Sequence, residues 1–333
     1  MISRRTRMGT AAVVLTAATL LPTAASAQAQ SFIMAWGTHG SGNGQFDVPS
    51  GVAMGPAGNV YVVDQANNRI QVFTSDGAYI TQWGTDGSGN GQFRFPLAIA
   101  ADAGGKIYVT DHYNYRVQVF TSGGAYVTQW GTVGSGNGQF DGGPNGVAVG
   151  AGGNVYVSDF ERIQVFSSGG AYIAQWGTLG SGNGQFNGAW NVATGAGGNV
   201  YVVDSGNFRM QVFTSGGAYI TQWGTQGSGN GQFGDLGGVA VDASGDVYVA
   251  DLGNRRIQAF TSSGAFVAQW GSGIGPFSGP TAVAVDAAYN IYVSDLSNRI
   301  EEFGPLPTPA AGVTWGALKS RYRSGAGATP EAK

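Results

Sequence analysis

The chain repeats one acid–base pairing six times. Asp64, Asp111, Asp159, Asp204, Asp251 and Asp295 are each followed, three to five residues on, by Arg69, Arg116, Arg162, Arg209, Arg256 and Arg299. Catalytic carboxylates come in small asymmetric sets whose environments drive their pKa values apart. Equivalent copies instead predict a structural clasp, with Asp capping turn amides and holding the Arg. A second motif, Ser-Gly-Asn-Gly-Gln-Phe at 41–46, 88–93, 135–140, 181–186 and 228–233, has the glycines of a phosphate cradle. A phosphate loop needs a helix after it, whose N-terminus holds the anion. Strand-type residues follow here, so the motif is expected to be a turn in which Gly and Asn supply positive φ.

Other chemistry is sparse. The two histidines, His39 and His112, fall in different predicted turns, whereas catalytic zinc takes about three convergent protein ligands. The absence of Cys excludes thiolate metal sites, thiol nucleophiles and a disulfide framework. Asp102, Asp242 and Asp286 occur in only half of the repeats, and no spacing suggests a Ser–His–Asp triad. The expectation is no catalytic set, no metal and no cofactor.

The elements that must position these residues are themselves repeated. Trp36, Trp83, Trp130, Trp176, Trp223 and Trp270 stand 46 or 47 residues apart, each followed by Gly. A period of this length marks a repeat architecture. Within one copy, four short runs rich in Val, Ile, Tyr and Phe (51–54, 60–63, 70–73 and 78–83) are separated by Gly, Asn, Asp or Ser breaks. That is a strand-and-turn signature, and four strands per unit make a propeller blade. The 59 glycines then belong to turns repeated in register. The expected fold is all-β: a six-bladed β-propeller of four antiparallel strands per blade over 28–303. Strand 32–37 should complete blade 6; the rival for that place is 312–316, which also ends in Trp-Gly.

The repeated residues resemble the NHL repeat family. The likeness lies in Gly-Val-Ala at 51–53, Asn-Val-Tyr-Val-x-Asp at 59–64 and Asn-x-Arg-Ile-Gln-Val-Phe near 68–73, and it recurs at 106–120, 154–166, 199–213, 246–260 and 290–303. Blade 3 departs by shortening its middle turn to Asp159-Phe160-Glu161-Arg162, and blade 6 by placing Glu301-Glu302 where the others have Gln-Val. The resemblance implies the propeller but no single function, since the family includes binding platforms, receptor sensor domains and a minority of lyases.

If shared motifs build the scaffold, function should lie where the copies differ. In this strand order, turns from second to third strand share a face with the inter-blade linkers. That face gains His112, Tyr113, Tyr115, Phe160, Glu161 and Phe208 in blades 2 to 4, with Trp190 at a first-strand entrance near the channel. Ser50, Leu97, Asn145, Gly238 and Thr281 are the corresponding entrance residues elsewhere. An unrepeated aromatic arc is a candidate recognition surface for a protein, peptide or glycan. The alternative is a lyase or hydrolase with a metal site in the channel.

The ends suggest location. Arg4, Arg5 and Arg7 precede an apolar stretch, and Ala25-Ser26-Ala27 fits signal-peptidase cleavage. Residues 1–27 are therefore expected to be a signal peptide, and the mature chain a secreted, periplasmic or cell-envelope monomer with no transmembrane span. Losing those arginines takes the formal charge from −3 to −6, which disfavours nucleic acid as a partner. A Pro-containing spacer (304–311) leads to a tail (312–333) expected to pack on the propeller, dock to the envelope or act in sorting.

Overall fold

A computed structural model describes residues 30–271 and 277–305. The expected signal peptide, most of the spacer and the tail lie outside the described residues. The described chain forms six four-stranded antiparallel sheets arranged as propeller blades. In blade 1 the strands are Pro49–Met54, Val60–Asp64, Arg69–Phe73 and Tyr79–Trp83. First strands of neighbouring blades contact each other around the axis.

Burial explains the composition of each strand. Second and third strands, VYVVD and RIQVF in blade 1, are buried at every residue because a blade lies on each side of them. A strand covered on both faces reads as a continuous run. The fourth strand alternates, with Tyr79, Thr81 and Trp83 half-buried and Ile80 and Gln82 exposed. The core lies between blades: Phe46, Val52, Val60, Val62 and Phe73 of blade 1 pack with Ala282, Ala284, Tyr292 and Ile300 of blade 6. Each blade's stability therefore depends on its neighbour. Gly217 shows how tight the outer seam is. It has φ +85°, and a Cβ there would come within 2.6 Å of the Trp176 ring of the preceding blade.

The N-terminal strand closes the ring. Gln30–Trp36 pairs antiparallel with Arg299–Pro305, setting Phe32 opposite Phe303 and Trp36 opposite Ile300. It begins two residues before the expected start. The last strand runs through Gly304 and Pro305, so the first two residues of the expected spacer are strand. The rival segment 312–316 lies outside the described residues, and the N-terminal strand fills the place beside Arg299–Pro305. Among the described residues no helix is long and apolar enough to cross a membrane.

Candidate functional site

The repeated Asp and Arg form a stapled joint between turn and linker. In blade 4, Arg209 Nε donates to Asp204 Oδ2 at 2.7 Å. Nη1 donates to the Ser181 carbonyl and Gln222 Oε1, and Nη2 to the carbonyls of Gly182 and Gln185, at 2.7–3.0 Å. Asp204 also accepts from the Asn187 amide, Asn207 Nδ2 and Gln211 Nε2. Asp64–Arg69, Asp111–Arg116 and Asp251–Arg256 repeat the contact at 2.7 Å. These contacts set the Ser-Gly-Asn-Gly linker against the turn between second and third strands, so both emerge on one face.

Two blades alter the joint. In blade 6, Arg299 Nε donates to Glu301 Oε1 at 2.8 Å, whereas the sequence reading paired Arg299 with Asp295. Glu301 occupies the Gln position of the other third strands and puts an anion two residues from the guanidinium. Asp295 instead accepts from the amides of Ser278, Gly279 and Ser297. In blade 3 the shortened turn lacks the Asn that bonds the carboxylate elsewhere. Asp159 keeps Arg162 Nε at 2.9 Å, the Asp141 amide at 3.0 Å and a long contact to Gln164 at 3.4 Å.

Burial pushes the Asp159 carboxyl up to about 6, against the opposing pull of Arg162. A carboxyl raised in the folded state is stabilising when protonated, so its contribution is full below pH ~4 and is lost as pH rises through about 6. Denaturation midpoints at pH 5 and pH 7 should therefore differ by more in the intact protein than in Asp159→Asn. The difference is bounded by about 3 kcal/mol, from the conversion of ~1.4 kcal/mol per pKa unit. Equal pH dependence in the two proteins would refute this assignment.

On the same face, the axis opens into a cavity of about 410 Å³ to which all six blades contribute. Strand register places Ser50, Leu97, Asn145, Trp190, Gly237 and Thr281 at one equivalent position. In blades 1, 2, 4, 5 and 6 this position falls at a register irregularity of the first strand. A bulge there re-aims the side chain, a device common beside binding sites. The equivalent residue one position deeper is packed against the next blade: a Cβ on Gly51 would sit 2.7 Å from the Leu97 carbonyl. The walls of the mouth are Val48, Phe95, Leu236, Leu252 and Leu296, with Gln65, Ser205, Asn191 and Asp235 between them.

Several polar groups of the lining are already engaged. Ser50 Oγ donates to the Leu97 carbonyl at 2.9 Å, Thr281 Oγ1 to the Pro49 carbonyl at 2.8 Å, and Asn145 Nδ2 to the Ala189 carbonyl at 3.3 Å. They latch each blade to the next and leave the mouth largely apolar.

The residues expected to form one arc are divided. Trp190, 42% exposed, lines the cavity. Tyr113 reaches it indirectly, stacked on Phe95 with ring centroids 4.8 Å apart. His112 is half-buried beside both rings, its Nδ1 donating to the Pro144 carbonyl at 3.4 Å. Burial lowers its pKa, opposed by that carbonyl and by Asp111. Tyr115, Phe160 and Phe208 all take the left-handed turn position, with φ of 53°, 40° and 54°. Blades 1 and 6 use Asn there: Asn68 Oδ1 accepts from the Phe95 amide and Asn298 Oδ1 from the Val48 amide. Glu161 is exposed on the blade 3 turn. Neither these three turn residues, Glu161 nor His112 lines the cavity. Of the expected entrance residues, Ser50, Leu97, Asn145 and Thr281 line it, while in blade 5 the equivalent is Gly237; Gly238 lies one step deeper.

Residues 46–73, 93–120, 186–213 and 233–260 match the NHL repeat. The chain is a six-bladed propeller carrying four NHL repeats. The blades outside these matches are blade 3, with its shortened turn, and blade 6, with its Glu301-Glu302 pair. No curated protein matches this NHL propeller in sequence. Solved structures similar to it include a protein of unknown function from Bacteroides thetaiotaomicron (TM-score 0.67, 17% identity, covering 83% of this chain and 76% of that one). Another is a gluconolactonase from Xanthomonas campestris (0.61, 15%, 80% and 88%). A third is a catalytically inactive virginiamycin B lyase from Staphylococcus aureus with quinupristin (0.56, 14%, 78% and 95%). At these identities the likeness is one of fold.

Proposed function

We propose that this NHL propeller is a non-catalytic binding module whose partner inserts an apolar peptide segment into the axial mouth. The carrying observation is the 410 Å³ cavity with six different residues, five side chains and one glycine, at one repeat position. Elsewhere the copies nearly agree: the third strand is RIQVF twice, RVQVF, RMQVF and RIQAF in five of the blades. Divergence at the mouth gives an otherwise six-fold scaffold one asymmetric pocket. The volume falls within the range of roughly 300–1,000 Å³ typical of ligand sites.

The lining favours recognition over acid–base chemistry, because Asp235 is its one titratable side chain among the described residues. It also favours an apolar peptide side chain over a sugar. Sugar hydroxyls need free donors and acceptors, and the hydroxyls of Ser50 and Thr281 already donate to blade carbonyls. The leader pattern at 1–27 supports a partner in the cell envelope or outside the cell.

Selection of a displayed random-peptide library on the purified protein tests this. Enriched peptides should carry a large apolar residue and bind Trp190→Ala at least tenfold more weakly. Phe160→Ala, away from the cavity, should bind them unchanged. Peptides sensitive to Phe160 and indifferent to Trp190 would move the site off the mouth.

A further inference from the structure

We infer that the mouth is specific for an apolar peptide anchor whose neighbouring residue is a cation, held by Asp235; this rests on the peptide-binding reading above. Among the described residues, Asp235 is the one charged side chain in the cavity lining. It is exposed and stands at the repeat position held by Val48 and Phe95 in blades 1 and 2. Blade 5 also contributes Gly237 to the ring, so beneath this carboxylate the wall carries no side chain at the position where blade 4 has Trp190.

Six-fold arrangement fixes where the charge lies relative to the apolar surface. Blades 2 and 5 are three apart in a ring of six, so Asp235 faces Phe95 across the opening. Trp190 lies on the adjoining blade 4. A chain crossing the mouth can therefore set its apolar side chain among Phe95, Leu97 and Trp190, with its next residue over blade 5. A neutral neighbour would leave a carboxylate at the edge of an apolar contact, partly stripped of water and unpaired, which is unfavourable. A Lys or Arg there pairs with Asp235, and the π face of Trp190 adds a second attraction for a cation.

The surroundings act in the same sense. Asp86, Asp141 and Glu161 are exposed on the linkers and turns of this face, against exposed Arg94 and Arg255. That excess of acids supports the approach of a positive segment.

Three blocked tetrapeptides test the inference, each pairing a 4-fluorophenylalanine anchor with a following Lys, Gln or Glu, read by fluorine NMR titration. On the intact protein, affinity should run Lys over Gln over Glu, with about fivefold at each step, the scale of a partly exposed ion pair near 1 kcal/mol. Asp235→Asn, checked by thermal melting for an unchanged fold, should bring the three within twofold. Asp235→Lys should invert the order, and 0.5 M salt should compress it. Equal binding of all three, weakened by Trp190→Ala, would overturn the cation and leave the apolar mouth standing. Failure of all three to bind up to millimolar concentrations would overturn both readings. Binding of neutral glycans through Trp190 in place of peptides would also overturn both.

Discussion

Replacing Arg209 by alanine is expected to lower the unfolding free energy by about 3–5 kcal/mol, the cost of breaking a buried ion pair from one side. The substitution strands Asp204, which is fully buried, and withdraws donors from the carbonyls of Ser181, Gly182 and Gln185. Asp204 keeps the Asn187, Asn207 and Gln211 donors but loses its counter-ion, and the Ser181 carbonyl loses its Arg209 donor, so a buried charge is left uncompensated. For a domain of this size the midpoint of a thermal melt should fall on the order of 10 °C. Arg209→Lys should recover only part of the loss, because an ammonium cannot reproduce a planar fork donating in three directions. Arg162→Ala should cost less. Its guanidinium has fewer carbonyl partners, with Ser135 and Gln139 but no counterpart of the Gly182 bond, and burial already holds the Asp159 carboxyl up at about 6. A loss below 1 kcal/mol for Arg209→Ala, or a larger one for Arg162→Ala, would show that the joint does not hold the blades.

The same joint shows what the sequence makes legible. Spacing alone identifies the Asp, the Arg and their structural role in four full-length turns, because identical neighbours give identical partners. It misleads in blade 6, where the spacing of Asp295 and Arg299 is kept but Glu301 stands at the Gln position and captures the guanidinium. Asp295 lies directly across the ladder from Arg299, but Glu301, two residues on in the same strand and so on the same face, takes the guanidinium. The ring was legible because its period survives every substitution, and so was its closure by a strand ending in Trp36-Gly37.

The mouth was legible only in part. Ser50, Leu97, Asn145, Thr281 and Trp190 follow from knowing where each first strand starts. Phe95, Leu236, Leu252, Leu296 and Asp235 do not stand out in the sequence, which points instead to the aromatics of the left-handed turn position. A turn sequence does not state which of its residues faces the axis. In Tyr115, Phe160 and Phe208 that direction is set by positive φ. Comparing the residue two before each first-strand bulge across the six copies would have exposed the Val48, Phe95 and Asp235 series, since it changes from apolar to acidic within one scaffold.

Deletion of Gln30–Trp36 should have the largest effect of all. The strand lies between two shared cores: Phe32 meets Phe303 edge-on at 5.8 Å, and Trp36 packs against Phe73 at 6.0 Å and Tyr292 at 6.3 Å. Losing two such aromatics at about 3 kcal/mol each removes a large part of a typical 5–15 kcal/mol. The antiparallel ladder from Pro305 to Ile300 is lost as well. The deleted chain should unfold over a broad transition, and its bare Arg299–Pro305 edge should pair with other chains, giving concentration-dependent dimers or aggregates by light scattering. A synthetic peptide of residues 30–37 added in trans should restore a sharp melt whose midpoint rises with peptide concentration, as for any ligand of the folded state. A scrambled peptide should not, because it no longer places Phe32 in the core shared with blade 5 and Trp36 in the core shared with blade 1. An unchanged, cooperative melt of the deleted protein would mean that the ring holds its shape without a closing strand, with the six shared cores sufficient by themselves.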